Sequence, residues 1–211
     1  MEVESADGFR GFAVIDVETN SLSSDWGRVL EVACVDLRPD MSLESTWDTL
    51  VNPDTTRVGR TDIHHIHSED LTSAPAFAAL TGDLVDHLRG RILVAHNIGF
   101  DCGFLSAEFE RAGVHFCFSD VPGLDTLDLA RQRWPGERAS LDACCERVNI
   151  PRPAAHSALA DALATATLLR HLVDLRDPST MSTLQQAERK AGEVVWPCLP
   201  VCHTEVLSRQ V

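Results

Sequence analysis

Apolar residues in the first third of the chain fall into short runs rich in β-branched side chains, over residues 12–17, 28–37 and 46–51. Turn-forming stretches, Ser21-Leu-Ser-Ser-Asp-Trp-Gly27 and Arg38-Pro-Asp40, separate them, so the pattern predicts an antiparallel meander of three strands. From residue 75 the spacing lengthens to that of a helix through 88. A short buried strand over 92–95 follows, then a helix over about 100–112, in which Phe104, Leu105 and Phe109 recur at helical spacing. Three further helices are predicted over 125–133, 140–148 and 157–175. The second opens on a Ser cap, and the third carries alanine at 158, 160, 162, 164 and 166, which favours helix and lets it pack tightly on a sheet. Beyond Asp177-Pro178 there remain one polar helix near 183–191 and a proline-interrupted tail that either docks or moves freely. No internal repeat or low-complexity tract is visible.

With 211 residues, 44% hydrophobic and 24% charged, one α/β core is the economical reading. The acidic stretch over 1–10 lacks a basic region followed by an apolar one, and no window approaches the roughly 20 apolar residues that span a bilayer. A cytoplasmic protein with no membrane partner is expected. The seven cysteines, Cys34, Cys102, Cys117, Cys144, Cys145, Cys198 and Cys202, read mostly as reduced core thiols; Cys198-x3-Cys202-His203 has the look of half a zinc site but lacks a second pair. A formal charge of −14 argues against broad coating of long nucleic acid and leaves room for an enzyme that grips only a strand end, with bound cations offsetting the phosphates.

The first strand carries the most informative chemistry. Asp16 and Glu18 lie two residues apart in Gly11-Phe-Ala-Val-Ile-Asp-Val-Glu-Thr19, and strand side chains alternate faces, so both acids point to one side. Two like charges held together on an apolar strand imply a divalent cation. Three more pieces accompany them: Val94-Ala-His-Asn-Ile-Gly-Phe-Asp101, Leu124-Asp-Thr-Leu-Asp-Leu-Ala-Arg131 and His156-Ser-Ala-Leu-Ala-Asp161. Asp101 falls at a strand-to-helix junction where Asn97 is placed to cap and Gly99 to allow an unusual turn. Asp161 falls one turn inside the alanine-rich helix, with His156 on the lead-in ahead of it.

In this order, on strand, junction and helix, Asp16-x-Glu18, Asn97-x-x-Phe100-Asp101 and His156-x4-Asp161 resemble the DEDDh 3′-to-5′ exonucleases. The likeness extends through residues 94–109, 125–136 and 140–145, where the chain looks most like the proofreading epsilon subunits of bacterial replicative DNA polymerases. It implies a ribonuclease H-like α/β fold, a central mixed sheet of about five strands flanked by helices. The exonuclease domain is expected over 9–175, with 176–211 as an extension of short helix and tail. It further implies two Mg²⁺ or Mn²⁺ ions, Asp16 bridging them, Glu18 and Asp161 on the first and Asp101 on the second. His156, whose ordinary pKa is about 6.5, is the base that takes a proton from the attacking water.

By the same resemblance Thr19 and Asn20 face the terminal 3′ hydroxyl, and His64, His96, Asn97 and Phe100 border the last nucleotide, Phe100 as a stacking face. The residue-level alternatives are a core aromatic for Phe100 and an exposed turn histidine for His64. A zinc cluster of His64, His65 and His67 lacks nearby carboxylate or thiolate partners. Thr19-Asn20-Ser21 stands where the family carries Thr-Thr-Gly, a departure that touches the fit of the terminal sugar and leaves metal ligation intact. Arg131 to Arg138 reads either as a local phosphate contact or as a solvated turn. The expected activity is release of nucleoside 5′-monophosphates from the 3′ end of single-stranded or frayed DNA, freestanding or beside a polymerase subunit. The alternatives are an RNA-directed exonuclease and a catalytically silent accessory module.

Overall fold

The computed structural model describes residues 9–152, 156–174 and 177–209. Five strands form one mixed sheet in the order β3-β2-β1-β4-β5. β1 (Gly11–Thr19), β2 (Val29–Leu37) and β3 (Leu43–Leu50) make the expected meander, and β4 (Arg91–Ala95) and β5 (Gly123–Asp125) add parallel to β1 in turn. β3 starts at Leu43, three residues ahead of the sequence expectation, because Glu44 and its neighbours on this edge strand are exposed and blur its pattern. β5 was not foreseen: its three residues are too few to show a period.

Helices cover both faces, which explains why β2 and β4 are buried along their whole length. On one face, Ala13, Ile15 and Val17 of β1 pack with α2 (Phe77–Leu88) and α3 (Ile98–Arg111). On the other, Phe12 and Val14 pack with α6 (Ala158–Leu172) and α7 (Pro178–Glu193). Ala158, Ala162 and Ala166, four apart on α6, lie against Ala33 and Val35 of β2 and bring that helix close to the sheet. α6 stops at Leu172 rather than continuing to 175; that residue lies outside those described. The remaining helices are α1 (Thr61–His64), too short to be legible, and α4 (Thr126–Arg133) and α5 (Leu141–Arg147), which pack on α6 through Ala130, Cys144 and Leu168.

The segment after α7 docks. Trp196 stacks on Phe116 at 4.9 Å, and Asp83 of α2 accepts hydrogen bonds from the backbone N–H groups of Cys202, His203 and Thr204 at 3.0, 2.9 and 2.9 Å. The Pro200 carbonyl approaches α2 so closely that a Cβ at Gly82 would lie 1.9 Å from its oxygen, which accounts for a glycine inside a helix. Farther on, Leu207 accepts from Leu50 N–H at 2.9 Å, donates to Thr49 Oγ1 at 3.0 Å, and packs against a cluster that contains Leu30, Leu50 and Ile66. Among the described residues no helix is long and apolar enough to cross a membrane.

Candidate active site

Since even-numbered residues of β1 face α6, Asp16 and Glu18 continue the row begun by Phe12 and Val14 and meet Asp161 in the first turn of that helix. Ligand oxygens of Asp16, Glu18 and Asp161 all lie within 4.8 Å of one another. Asp101, from the first turn of α3, arrives from the other layer at the same end of β1 and accepts a hydrogen bond from Val17 N–H at 3.2 Å. Four carboxylates thus converge at the carboxyl ends of β1 and β4, the place where open α/β sheets receive ligands.

Their charges are only partly compensated, by the Arg152 pair with Asp161. Burial, then repulsion from Asp101, Asp161, Glu18 and Glu31, raises the Asp16 carboxyl well above its ordinary value. Burial, then Asp161 and Glu31, pushes Glu18 up to about 7, against the opposing pull of Arg209 and Arg152. Asp101 is also raised, chiefly by burial, although backbone hydrogen bonds pull the other way. An all-oxygen set that repels itself in a half-dry pocket matches a hard divalent cation, whose charge would favour the ionised form of each acid against these repulsions.

Three charged residues around this pocket had no place in the sequence reading. Glu31 stands opposite Glu18 on β2, is fully buried, and accepts from Ala158 N–H at 2.9 Å, holding the start of α6. Its signal was an acid, one of two with Asp36, in the otherwise apolar run Val29 to Leu37. Arg152 pairs with both Asp161 and Asp142, and Arg209 pairs with Glu31, Nε to Oε1 at 2.9 Å; neither carried a local sequence signal. His156 lies just ahead of α6 in a left-handed conformation, φ 67°, and its carbonyl accepts from Arg209 Nη2 at 3.0 Å.

The α3 junction is built differently from expectation. Asn97 makes no side-chain cap; it is Asn97, not Gly99, that takes the left-handed turn, with φ 81°. The cap comes from Asp125 at the end of β5, which accepts from Asn97 N–H at 2.9 Å and Ile98 N–H at 3.2 Å while also capping α4 through Leu127 N–H at 2.9 Å. One carboxylate therefore seats two helix starts, a link between segments 28 residues apart that no local pattern reveals.

The residues expected around the nucleotide are placed as follows. Phe100 is half-buried against Phe104, ring centroids 4.9 Å apart, and so combines the core and exposed-face alternatives. Thr19 Oγ1 donates to the Ser21 carbonyl at 2.7 Å; of the two residues that depart from the family pattern, Asn20 spans the Arg57 carbonyl at 2.8 Å and Arg28 N–H at 2.7 Å, and Ser21 Oγ accepts from Ser23 N–H at 3.2 Å, so both spend their side chains on fixing loops. His96 reaches Thr126 Oγ1 at 3.0 Å and the Ala139 carbonyl at 2.8 Å. His64 is buried rather than exposed: Nδ1 accepts from Ile66 N–H at 3.1 Å, which leaves Nε2 to donate to the Val58 carbonyl at 2.8 Å. Burial lowers the pKa of both histidines.

Among the described residues one other group is close enough to share a metal, Cys34, Asp36 and His87; neither the Cys198, Cys202 and His203 set nor the His64, His65 and His67 set forms one. Four cysteines are buried, but Cys117, Cys198 and Cys202 are exposed, contrary to the core reading for those three; all seven are free thiols.

This sheet order, with acids gathered at its carboxyl edge, is that of the ribonuclease H-like nucleases. Residues 13–169 match the RNase_T exonuclease family model, and the chain belongs to that family. It is 30% identical over 208 residues to DNA polymerase III subunit epsilon of Haemophilus influenzae, covering 90% of this chain and 80% of that protein. It is 32% identical over 184 residues to the PolC-type DNA polymerase III of Oceanobacillus iheyensis, 86% of this chain but 13% of that one. Exonuclease X in complex with 5′ overhanging duplex DNA superposes with a TM-score of 0.60 at 26% identity, covering 85% of this chain and 99% of that one. Exonuclease I of Escherichia coli bound to a dT13 oligonucleotide shares the fold with a TM-score of 0.71 at 19% identity, over 82% of this chain and 43% of that one. The chain is therefore a nuclease of the exonuclease class.

Proposed function

We propose that this protein is a cytoplasmic 3′-to-5′ DNA exonuclease that releases nucleoside 5′-monophosphates from single-stranded or frayed 3′ ends, as a proofreading partner of a polymerase or on its own. The observation that carries this reading is the convergence of Asp16, Glu18 and Asp161 within 4.8 Å, with Asp101 beside them. These four would hold two Mg²⁺ or Mn²⁺ ions, whose charge, when bound, stabilises the attacking and leaving oxygens of an in-line phosphoryl displacement. His156 accepts the proton of the attacking water, and its neutral form is the active one. Phe100 offers a half-open ring to the terminal base, a sequence-tolerant contact. On this reading residues 9–175 are the exonuclease domain and 176–211 its C-terminal extension. DNA is favoured over RNA because the similar proteins are DNA polymerase subunits and a structure solved on duplex DNA.

The test is digestion of end-labelled single-stranded, duplex and mispaired DNA, beside matched RNA, with and without Mg²⁺. Metal-dependent mononucleotide release, fastest on unpaired DNA, is expected. Faster loss of RNA would reverse the substrate, and cleavage unaffected by chelator would remove the metal assignment.

A further inference from the structure

Arg209 lies 53 residues beyond His156, yet its guanidinium touches three parts of the active-site wall at once. Nε donates to Glu31 Oε1 at 2.9 Å, Nη1 to the His64 carbonyl at 2.6 Å and Nη2 to the His156 carbonyl at 3.0 Å, with a second bond from Nη2 to Glu31 Oε2. Glu31 is itself fully buried and bound to Ala158 N–H, two residues after His156. A planar guanidinium presents its donors in a rigid fork, and a lysine in its place would supply the charge without the geometry. The segment that delivers it is fastened along its length, by Asp83 at 202–204, by Leu207 against β3, and by Ser208 Oγ on the Asp48 carbonyl at 3.1 Å.

The backbone of His156 is in a left-handed conformation that a non-glycine residue holds only when its surroundings impose it. The helix that follows and the Arg209 bond to the His156 carbonyl both hold that backbone from the α6 side.

We propose that Arg209 is a positioning residue for catalysis: the C-terminal segment acts as a strap whose guanidinium clamps the His156 carbonyl to Glu31 and the His64 loop and so sets where the imidazole stands. This rests on His156 being the base. Displacing a catalytic group by about 1 Å costs on the order of 10²-fold, so loss of the clamp is read in turnover, while the four carboxylates keep their places on β1, α3 and α6.

The test is a double-mutant cycle of Arg209→Ala and His156→Ala in the full chain, with Mn²⁺ affinity measured by calorimetry and the imidazole followed by NMR of ¹⁵N-histidine-labelled protein. Arg209→Ala is expected to lower kcat by about 10- to 100-fold, to leave KM and Mn²⁺ affinity within about 3-fold, to broaden the His156 ring signal, and to cost nothing further in the His156→Ala background; Arg209→Lys is expected to restore only part of the loss. An equal loss from Arg209→Ala with and without His156 would overturn the proposal in favour of general structural support. So would unchanged turnover in Arg209→Ala while His156→Ala is impaired, a result that would leave the base assignment standing. Full activity of His156→Ala would instead remove the base, and the clamp with it. Should Arg209→Ala fail to fold, Glu31→Gln, which keeps an acceptor for Ala158 N–H but weakens the guanidinium pair, must show the same dependence on His156.

Discussion

Two clusters of buried acid sit on neighbouring strands and behave in opposite ways. Asp36 on β2 is 3% exposed, yet Ser45 Oγ and His87 Nδ1 meet its Oδ2 at 2.7 Å each, Cys34 Sγ meets Oδ1 at 3.4 Å, and Arg91 Nε stands 3.7 Å away. Burial raises its pKa, but the His87 and Ser45 hydrogen bonds outweigh burial, and the net shift is downward. Asp16 on β1 has carboxylates for neighbours, and its shift is upward. Opposite compensation separates a carboxylate that holds the fold from one whose surroundings would suit a cation. Cys34, Asp36 and His87 are near enough to chelate, but Arg91 already supplies the positive charge there.

The sharpest way to break this contrast is isosteric neutralisation of each acid. Asp16→Asn should lower turnover by at least about 10²- to 10³-fold, as the loss of a single electrostatic contact in a preorganised site does, while the metal-free thermal midpoint rises because a repulsive charge is gone. A lowered midpoint would mean that Asp16 also supports the fold. His156→Ala should cost about 10²- to 10⁴-fold in kcat with Mn²⁺ binding kept; unchanged turnover would assign the base elsewhere. Asp36→Asn should act the other way, with near-normal activity per folded molecule but a stability loss of about 1–3 kcal/mol, since a buried hydrogen-bonded carboxylate is lost and Arg91 keeps Glu44 as its anionic partner. Chemical denaturation measures this, and a loss under about 1 kcal/mol would mean that the Asp36 carboxylate does not hold the fold.

The smallest effect is in the pH dependence. Glu18 is raised from 4.5 to about 7, so folding favours its protonated form: its contribution is complete below pH 4.5 and is lost as pH rises through 7. The metal-free thermal midpoint should therefore fall between pH 5 and 8, and Mg²⁺ should flatten that fall. Asp36, with its pKa lowered, contributes fully above its ordinary value of 3.8 and loses that contribution as pH drops below it. A metal-free midpoint that rises from pH 5 to 8 would contradict the Glu18 shift.

What could be read from the chain follows from the range of each interaction. The meander, the β4 to α3 unit and the alanine face of α6 show in periods of two and 3.6, and the alternation of β1 already put Asp16 and Glu18 on one side. The four-residue α1 and three-residue β5 are shorter than any period that would reveal them. Asp125, Arg152 and Arg209 act across turns or long stretches of chain, where composition carries no address. The left-handed turn at Asn97 hid because the adjacent Gly99 was the more obvious candidate. For His64 the exposed-turn alternative fails because its two ring nitrogens complete a buried turn, a pairing with the Val58 carbonyl and Ile66 N–H that spacing does not reveal.

Gly82 ties these matters to a residue on the far side of the sheet. A methyl group there would collide with the Pro200 carbonyl at 1.9 Å, and the first staple of the segment that ends in Arg209 would have to shift. The helix position and the segment beyond 200 are thus a matched pair: a relative's C-terminal stretch grafted onto this domain needs a residue 82 that leaves it room, and under the proposed strap a larger side chain at 82 would reach His156 through Arg209.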